Sequence, residues 1–195
     1  MRSVQLSLLV LFFFRAGTAE ARDLGISFQS GVINGSYTGA DAGETGMAST
    51  MDAGAELIVA SRYSLYAHSS MSLDPDTAII RYLYAGVGRR IYFFSHAASL
   101  SFVVDHNKVE LNPKTQYFVS VEAGVSQTVV KQVTPSLSIQ STSIEYGGGI
   151  GMVYPINKTV GLTLTLGLGK GVGISAVAVD STVTKAMFGL VMRGL

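Results

Sequence analysis

The sequence predicts an all-β chain, a single antiparallel up-and-down barrel whose strands cross a membrane. Three observations carry that reading. Apolar and small or polar residues alternate with a period of two through most of the chain, the pattern of strands with one greasy face. Several arms run for nine residues or more, and nine residues at roughly 3.3 Å each, tilted about 45°, cover about 21 Å, close to the apolar band of a transmembrane barrel. Charges fall on the face opposite the apolar one in most strands, which a soluble strand set has no need to do. Hydrophobic residues reach 48% and charged residues only 14%. Those values would suit a buried parallel sheet, but such strands read as continuous apolar runs and these alternate.

Met1 to Ala21 reads as a secretory leader. Arg2 supplies the positive start, Leu6 to Phe14 the apolar core, and Ala19-Glu20-Ala21 an A-x-A cleavage site, with a cut after Ala19 as the other candidate. The barrel domain is then expected over 22–195. No later stretch approaches 18 apolar residues, so no spanning helix is expected after the leader.

From Arg22, Leu24, Ile26 and Phe28 alternate with Gly25, Ser27 and Gln29 as a first strand. The Gly-, Ser- and Thr-rich run 34–47 reads as a loop. In the second strand Ala53, Ala55, Leu57 and Val59 oppose Gly54, Glu56 and Ala60. Ser61-Arg62 connects it to a third, with Tyr63, Leu65, Ala67 and Met71 opposite Ser64, Tyr66, His68, Ser70 and Ser72. A turn at Asp74-Pro75-Asp76 leads into an extended run, 77–94. Here Ile80, Tyr82 and Tyr84 oppose Arg81, although Leu83 and Val87 share the parity of Arg81. The run 95–113 has the makings of a small hairpin but is too short to span twice. It is read as an oversized connection, with ten strands as the alternative to eight.

The fifth strand, 114–130, sets Tyr117, Val119, Val121, Ala123 and Val125 against Ser120, Glu122, Gly124 and Ser126. After a loop with Pro135 comes the clearest signal in the chain, a long hairpin. Ile144, Tyr146, Ile150, Met152 and Tyr154 form one face of its first arm, and Glu145, Gly147, Gly149 and Gly151 the other. Pro155-Ile156-Asn157-Lys158 makes the turn. In the second arm Val160, Leu162, Leu164, Leu166 and Leu168 alternate with Gly161, Thr163, Thr165, Gly167 and Gly169, and are expected to face lipid. A Gly-rich loop at 170–180 precedes the last strand, where Ala186, Phe188, Leu190 and Met192 oppose Lys185, Gly189 and Arg193. The total is eight strands, and an even count puts both termini on one side.

A charge facing lipid near the midplane costs about 2–4 kcal/mol for Lys or Arg, so parity assigns Glu56, Arg81, Glu122, Glu145 and Lys185 to the lumen. An eight-stranded barrel is only wide enough for its own side chains, so these five are expected to pair as an ion network. Tyr63, Tyr92, Phe93, Phe94, Tyr117 and Tyr154 near strand ends are expected to form an aromatic girdle.

Other classes find little support. A net charge of +1 makes no case for nucleic acid, and the absence of cysteine excludes disulfides and thiolate metal sites. His68, His96 and His106 lack metal-ligand spacing. Gly147 to Gly151 lacks the G-x-G-x-x-G spacing and a following helix, so no cofactor is expected. His68 and Ser70 resemble the His/Ser pair of outer-membrane lipid A deacylases, but parity turns them inward beside Glu56 and the rest of that motif is not recognisable. No enzyme is expected.

The run Y-G-G-G-I-G-M-V-Y-P-I-N-K-T-V-G-L-T-L-T-L-G-L-G, from Tyr146 to Gly169, resembles the strand–turn–strand of the small bacterial outer-membrane β-barrel proteins, the group of the OmpA transmembrane domain and OmpX. In pattern the resemblance extends from Arg22 to Leu195. It implies an exported, monomeric, non-enzymatic outer-membrane protein with a structural or surface-interaction role and a side-chain-filled lumen. Its surroundings would be outer-membrane lipids and lipopolysaccharide, and the barrel-insertion machinery would place it there. A narrow porin for small solutes is the alternative; a secreted lipid-binding barrel or a barrel-type lipid hydrolase is less expected. Leu195 stands where such proteins usually end in an aromatic residue, and no peptidoglycan-binding segment is read after the barrel.

Overall fold

The alternating segments close into a wall. The computed structural model describes residues 23–39, 42–60, 62–73, 80–93, 101–104, 107–110, 115–131, 138–175 and 179–194. The expected leader, Phe94 of the expected girdle, and His96 and His106 lie outside these residues. The strands are β1 (Asp23–Gly39), β2 (Ala42–Ala60), β3 (Tyr63–Ser72), β4 (Ile80–Phe93), β5 (Ser101–Val104), β6 (Asn107–Glu110), β7 (Gln116–Lys131), β8 (Ser138–Pro155), β9 (Val160–Gly173) and β10 (Asp180–Arg193). Eight of them form a closed barrel in the order β1-β10-β9-β8-β7-β4-β3-β2, and β1 pairs with β2 to complete the ring. Every neighbouring pair in the ring is antiparallel.

The remaining two, β5 and β6, pair with each other as a separate two-stranded sheet within the connection from β4 to β7. The ten-strand alternative is thereby excluded. Because the ring strands run alternately up and down, this connection shares one end of the barrel with the β2–β3 and β8–β9 turns and with both ends of the ring. That end is called the terminal end below, and the opposite one the far end.

One expected loop is strand in its described residues, and a second is strand in part. Of the run 34–47, residues 34–39 belong to β1 and 42–47 to β2, and the two strands stay paired from Asp23↔Ile58 to Gly39↔Ala42. Its outward residues Asn34, Ser36, Thr38 and Thr45 are exposed and polar and Met47 is exposed and apolar, while Tyr37 is buried inside, with Ile33 and Ala48 buried just beyond the run. A strand with small polar residues on its outer face has the composition of a loop. Likewise 170–173 belong to β9, paired with β8 as far as Ser143↔Gly173. The β8–β9 turn is as expected: the side-chain Oδ1 of Asn157 accepts from the backbone N–H of Thr159 at 2.9 Å and of Val160 at 2.8 Å, an Asx turn.

The outward faces are apolar between the two ends. Leu24, Ile26, Phe28 and Val32 of β1, Val121 and Val125 of β7, Ile144 and Ile150 of β8, and Phe188, Leu190 and Met192 of β10 all point out. Inward residues are a mix of charged, polar, aromatic and aliphatic side chains, among them Glu56, Glu145, Ser64, Tyr84, Phe118, Ile58 and Val183. Val59, expected on the outward face, is buried, because a bulge between Ile58 and Ala60 shifts the register there. Four outward aromatics, Tyr63, Phe93, Tyr117 and Tyr154, sit at the terminal ends of their strands as half of a girdle. Tyr92 does not join them; it is buried in the lumen.

The seam that closes the ring depends on glycine. A Cβ on Gly31 would overlap the carbonyl oxygen of Ala186, and one on Gly189 that of Phe28, because the backbones of β1 and β10 come too close there for a side chain. At Gly167 a Cβ would meet nothing nearer than 3.6 Å. Gly189→Ala is therefore expected to destabilise the barrel by about 1–3 kcal/mol and Gly167→Ala by much less, read from urea unfolding in lipid vesicles.

Candidate functional site

Among the described residues, side chains fill most of the lumen. Towards the terminal end Ile58, Tyr92, Phe118, Val153 and Val191 form one apolar cluster, and towards the far end Ile33, Ala48, Tyr82, Tyr84 and Val183 form another. Charged groups fill the space around and between them, in two groups that follow from inward parity on strands distant in sequence.

The first group is centred on Glu56 of β2, 1% exposed. Its Oε2 accepts from Nη1 of Arg90 at 3.1 Å and from Nη2 of Arg193 at 3.5 Å. Its Oε1 accepts from the hydroxyls of Ser64 and Tyr92. Arg193 also donates to Gln116 and, at 3.0 Å, to the Tyr92 hydroxyl. The Arg90 guanidinium lies over the rings of Tyr66 and Phe118, at 4.5 and 4.8 Å from their centroids.

The second group spans β2, β3, β4, β7, β8 and β10. Nζ of Lys185 donates to Glu122 at 3.3 Å and lies 3.2 Å from Glu145, which is 1% exposed. The Tyr82 hydroxyl lies 2.8 Å from both Glu145 carboxylate oxygens. Glu122 also accepts from the Tyr66 hydroxyl at 2.8 Å. Nδ1 of His68 lies 2.6 Å from Asp52, and its Nε2 lies 3.0 Å from Glu122. Ionised carboxylates only accept, so both ring nitrogens of His68 donate. Ser70 donates to the same Asp52 oxygen at 2.6 Å.

Counted with His68 as a cation, four lumen carboxylates (Asp52, Glu56, Glu122, Glu145) face four cations (His68, Arg90, Lys185, Arg193) among the described residues. Charge balance of this kind makes burial tolerable, because an unpaired ion in the interior costs several kcal/mol. Between the two groups lies a cavity of about 40 Å³, bordered by Gln29, His68, Arg90, Glu122 and Lys185. That is room for one or two waters.

Glu56, Glu122, Glu145 and Lys185 thus point inward, the last three in one cluster and Glu56 in the other. Arg81 does not point inward. It lies on the outward face of β4, in the alternation of Leu83 and Val87, while Tyr82 and Tyr84 fill the lumen. Its position one residue into the strand sets it at the far end of the barrel. The lumen arginines are Arg90 and Arg193. Asp52 and His68 complete the set missed as partners. Asp52 shares the parity of Glu56 four residues away, and extending that alternation would have found it. Beside His68 and Ser70 stand Asp52 and Glu122, not Glu56.

No protein-family model matches the sequence, and no curated protein resembles it in sequence. Solved structures do match in shape. Neisserial surface protein A aligns over 86% of this chain and 96% of its own, with a TM-score of 0.53 at 10% identity. The N-terminal β-barrel domain of OprF from Pseudomonas aeruginosa aligns over 87% and 97%, with a TM-score of 0.52 at 9% identity. The outer membrane protease OmpT from Escherichia coli aligns over 91% and 99%, with a TM-score of 0.51 at 6% identity. At such identities the likeness concerns architecture alone: the chain has the fold of the small outer-membrane β-barrels.

Proposed function

We propose that this chain is a non-enzymatic integral protein of the bacterial outer membrane, exported through a cleaved leader, with a closed lumen and a structural or surface-interaction role. One observation carries the reading: the barrel holds balanced ion pairs inside, between two mixed aromatic and aliphatic clusters, and carries an apolar band outside. Exposed apolar area on that scale marks a surface covered by something other than water. The β1–β2 hairpin and β10 continue past the band with polar outward residues, among them Ser36, Thr38, Thr182 and Thr184. These extensions offer a surface outside the bilayer. The expected partners are outer-membrane lipids and lipopolysaccharide along the wall, and the insertion machinery during biogenesis.

Catalysis is not favoured. The His68, Ser70 and Asp52 group lies in the packed lumen, with both ring nitrogens bonded to carboxylates. The likeness to OmpT, a protease, extends to the fold.

The expected behaviour in planar bilayers is silence, with no steady channels from the pure, folded protein. Steady unitary conductance would overturn the closed-lumen reading in favour of a narrow porin. Extraction from membranes by carbonate washing, or absence of a heat-modifiable gel shift, would overturn membrane integration itself.

A further inference from the structure

We propose that the lumen holds a blind aqueous inlet, a file of water that enters at the terminal end, follows the inner face of β9 past Thr163 and stops beside Lys185. The inference rests on the membrane and closed-lumen readings above. It adds a site, its occupant and the end from which the site is reached.

The inner face of β9 carries little bulk. From the terminal end its inward residues are Gly161, Thr163, Thr165, Gly167, Gly169 and Gly171. Two cavities lie against this strip. The outer one, of about 30 Å³, sits at the terminal end among Gln116, Asn157, Thr159, Gly161 and Arg193. The inner one is the cavity of about 40 Å³ between the two ion groups, where Thr165, Gly167 and Gln29 face Lys185 and Glu122. A polar cavity larger than about 15 Å³ has room for a water, and both exceed that. Neither could take a solute, since small-molecule sites start near roughly 300 Å³.

Thr163 stands between the two. Residues on one face of a strand are about 6.6 Å apart, so Thr163 is one step from Gly161 at the outer cavity and one from Thr165 at the inner. It is 2% exposed, yet its hydroxyl has no hydrogen-bond partner among the described residues. Buried hydroxyls are nearly always bonded, either to protein or to ordered water. A water at Thr163 supplies that partner and joins the cavities.

The file ends at the second ion group. Beyond Gly167 the Glu145 carboxylate covers Gly169, where a Cβ would meet its Oε1 at 2.9 Å, and the Ser181 hydroxyl covers Gly171. Past these, Ile33, Ala48, Tyr82, Tyr84 and Val183 close the bore towards the far end. Glu56 borders neither cavity, so its pairs lie outside the file. The second group therefore shares water with the phase at the terminal end and is sealed from the other.

The chain has no cysteine, so single introduced thiols report access. The probe is silver ion, close to water in size, placed outside or inside sealed vesicles in chloride-free buffer; surviving thiols are counted after denaturation. Lys158→Cys, exposed in the β8–β9 turn, gives with an impermeant maleimide the fraction of molecules whose terminal end faces outward. Gly167→Cys, whose Cβ meets nothing nearer than 3.6 Å, should be consumed in the molecules whose terminal end faces the silver. Thr165→Cys is a second reporter of the same cavity. Val183→Cys, in the far cluster, should survive on both sides. Adding Thr163→Val to Gly167→Cys keeps the shape, removes the hydroxyl and should slow the reaction about fivefold, the worth of one hydrogen bond. A heat-modifiable gel shift checks that each variant is folded. Survival of both cavity thiols in folded protein, or an unchanged rate with Thr163→Val, would overturn the inlet. Consumption of Gly167→Cys from either side, or of Val183→Cys, would mean an open passage and overturn the closed lumen as well. If no folded barrel forms in bilayers, the membrane reading fails and the inlet with it.

Discussion

Replacing Glu56 with alanine is expected to destabilise the barrel by about 3–5 kcal/mol, the usual cost of removing one partner from a buried ion pair. Glu56 is the acceptor that Arg90, Arg193, Ser64 and Tyr92 share. Without it two guanidinium groups remain in the interior with no carboxylate between them. The aromatic faces of Tyr66 and Phe118 cushion Arg90, by about 0.5–2 kcal/mol, too little to offset the loss. Removing both members is another matter. The double variant Glu56→Met/Arg90→Met replaces one pair with apolar groups and should recover part of the loss, the remainder being the cost of Arg193 left without its carboxylate. Reversible urea unfolding in vesicles measures both. A loss below about 1 kcal/mol for Glu56→Ala would mean that the pair behaves as a solvated one, and that water has access to the lumen.

That test bears on what sequence reasoning reaches. Parity alone assigns Glu56, Glu122, Glu145 and Lys185 their faces, because one slip of register would turn every apolar residue on the strand the wrong way. It fails on β4, where Arg81 and Arg89 have one parity and Arg90 the other. The tie is broken by Leu83, Val87 and Ile91, which claim the outward face and send three tyrosines inside. Composition fails for 34–47, since beyond the bilayer a strand has no need of an apolar side and its alternation fades. Partners are the least legible part. Glu122 on β7 meets Lys185 on β10 and His68 on β3 across the bore, contacts set by ring closure and not by any local spacing.

Placing arginine at Leu164 is the sharpest test of what lies outside the wall. Leu164 sits midway along the apolar stretch of β9, 42% exposed, between Phe188 of β10 and Met152 of β8. If the wall faced water, Leu164→Arg would fall within about ±0.5 kcal/mol, as exposed substitutions do. Facing lipid at the midplane, it should cost about 2–4 kcal/mol. Inward-facing Thr163, 2% exposed, supplies the contrast: Thr163→Ser removes one methyl and should cost about 0.8 kcal/mol or less. The stronger form of the test is a series. Arginine at Val160, Leu162, Leu164, Leu166 and Leu168 in turn should give a loss that rises to a maximum near Leu164 and falls to about 0–1 kcal/mol at the ends, because the cost follows depth in the bilayer. Local packing alone would give an irregular profile. Arg89, four residues from the end of β4 and turned onto Tyr63, shows the chain placing its own outward arginine off the midplane and bending it to the interface. A flat profile along β9 would leave that placement without a cause and would remove lipid from the account of the wall.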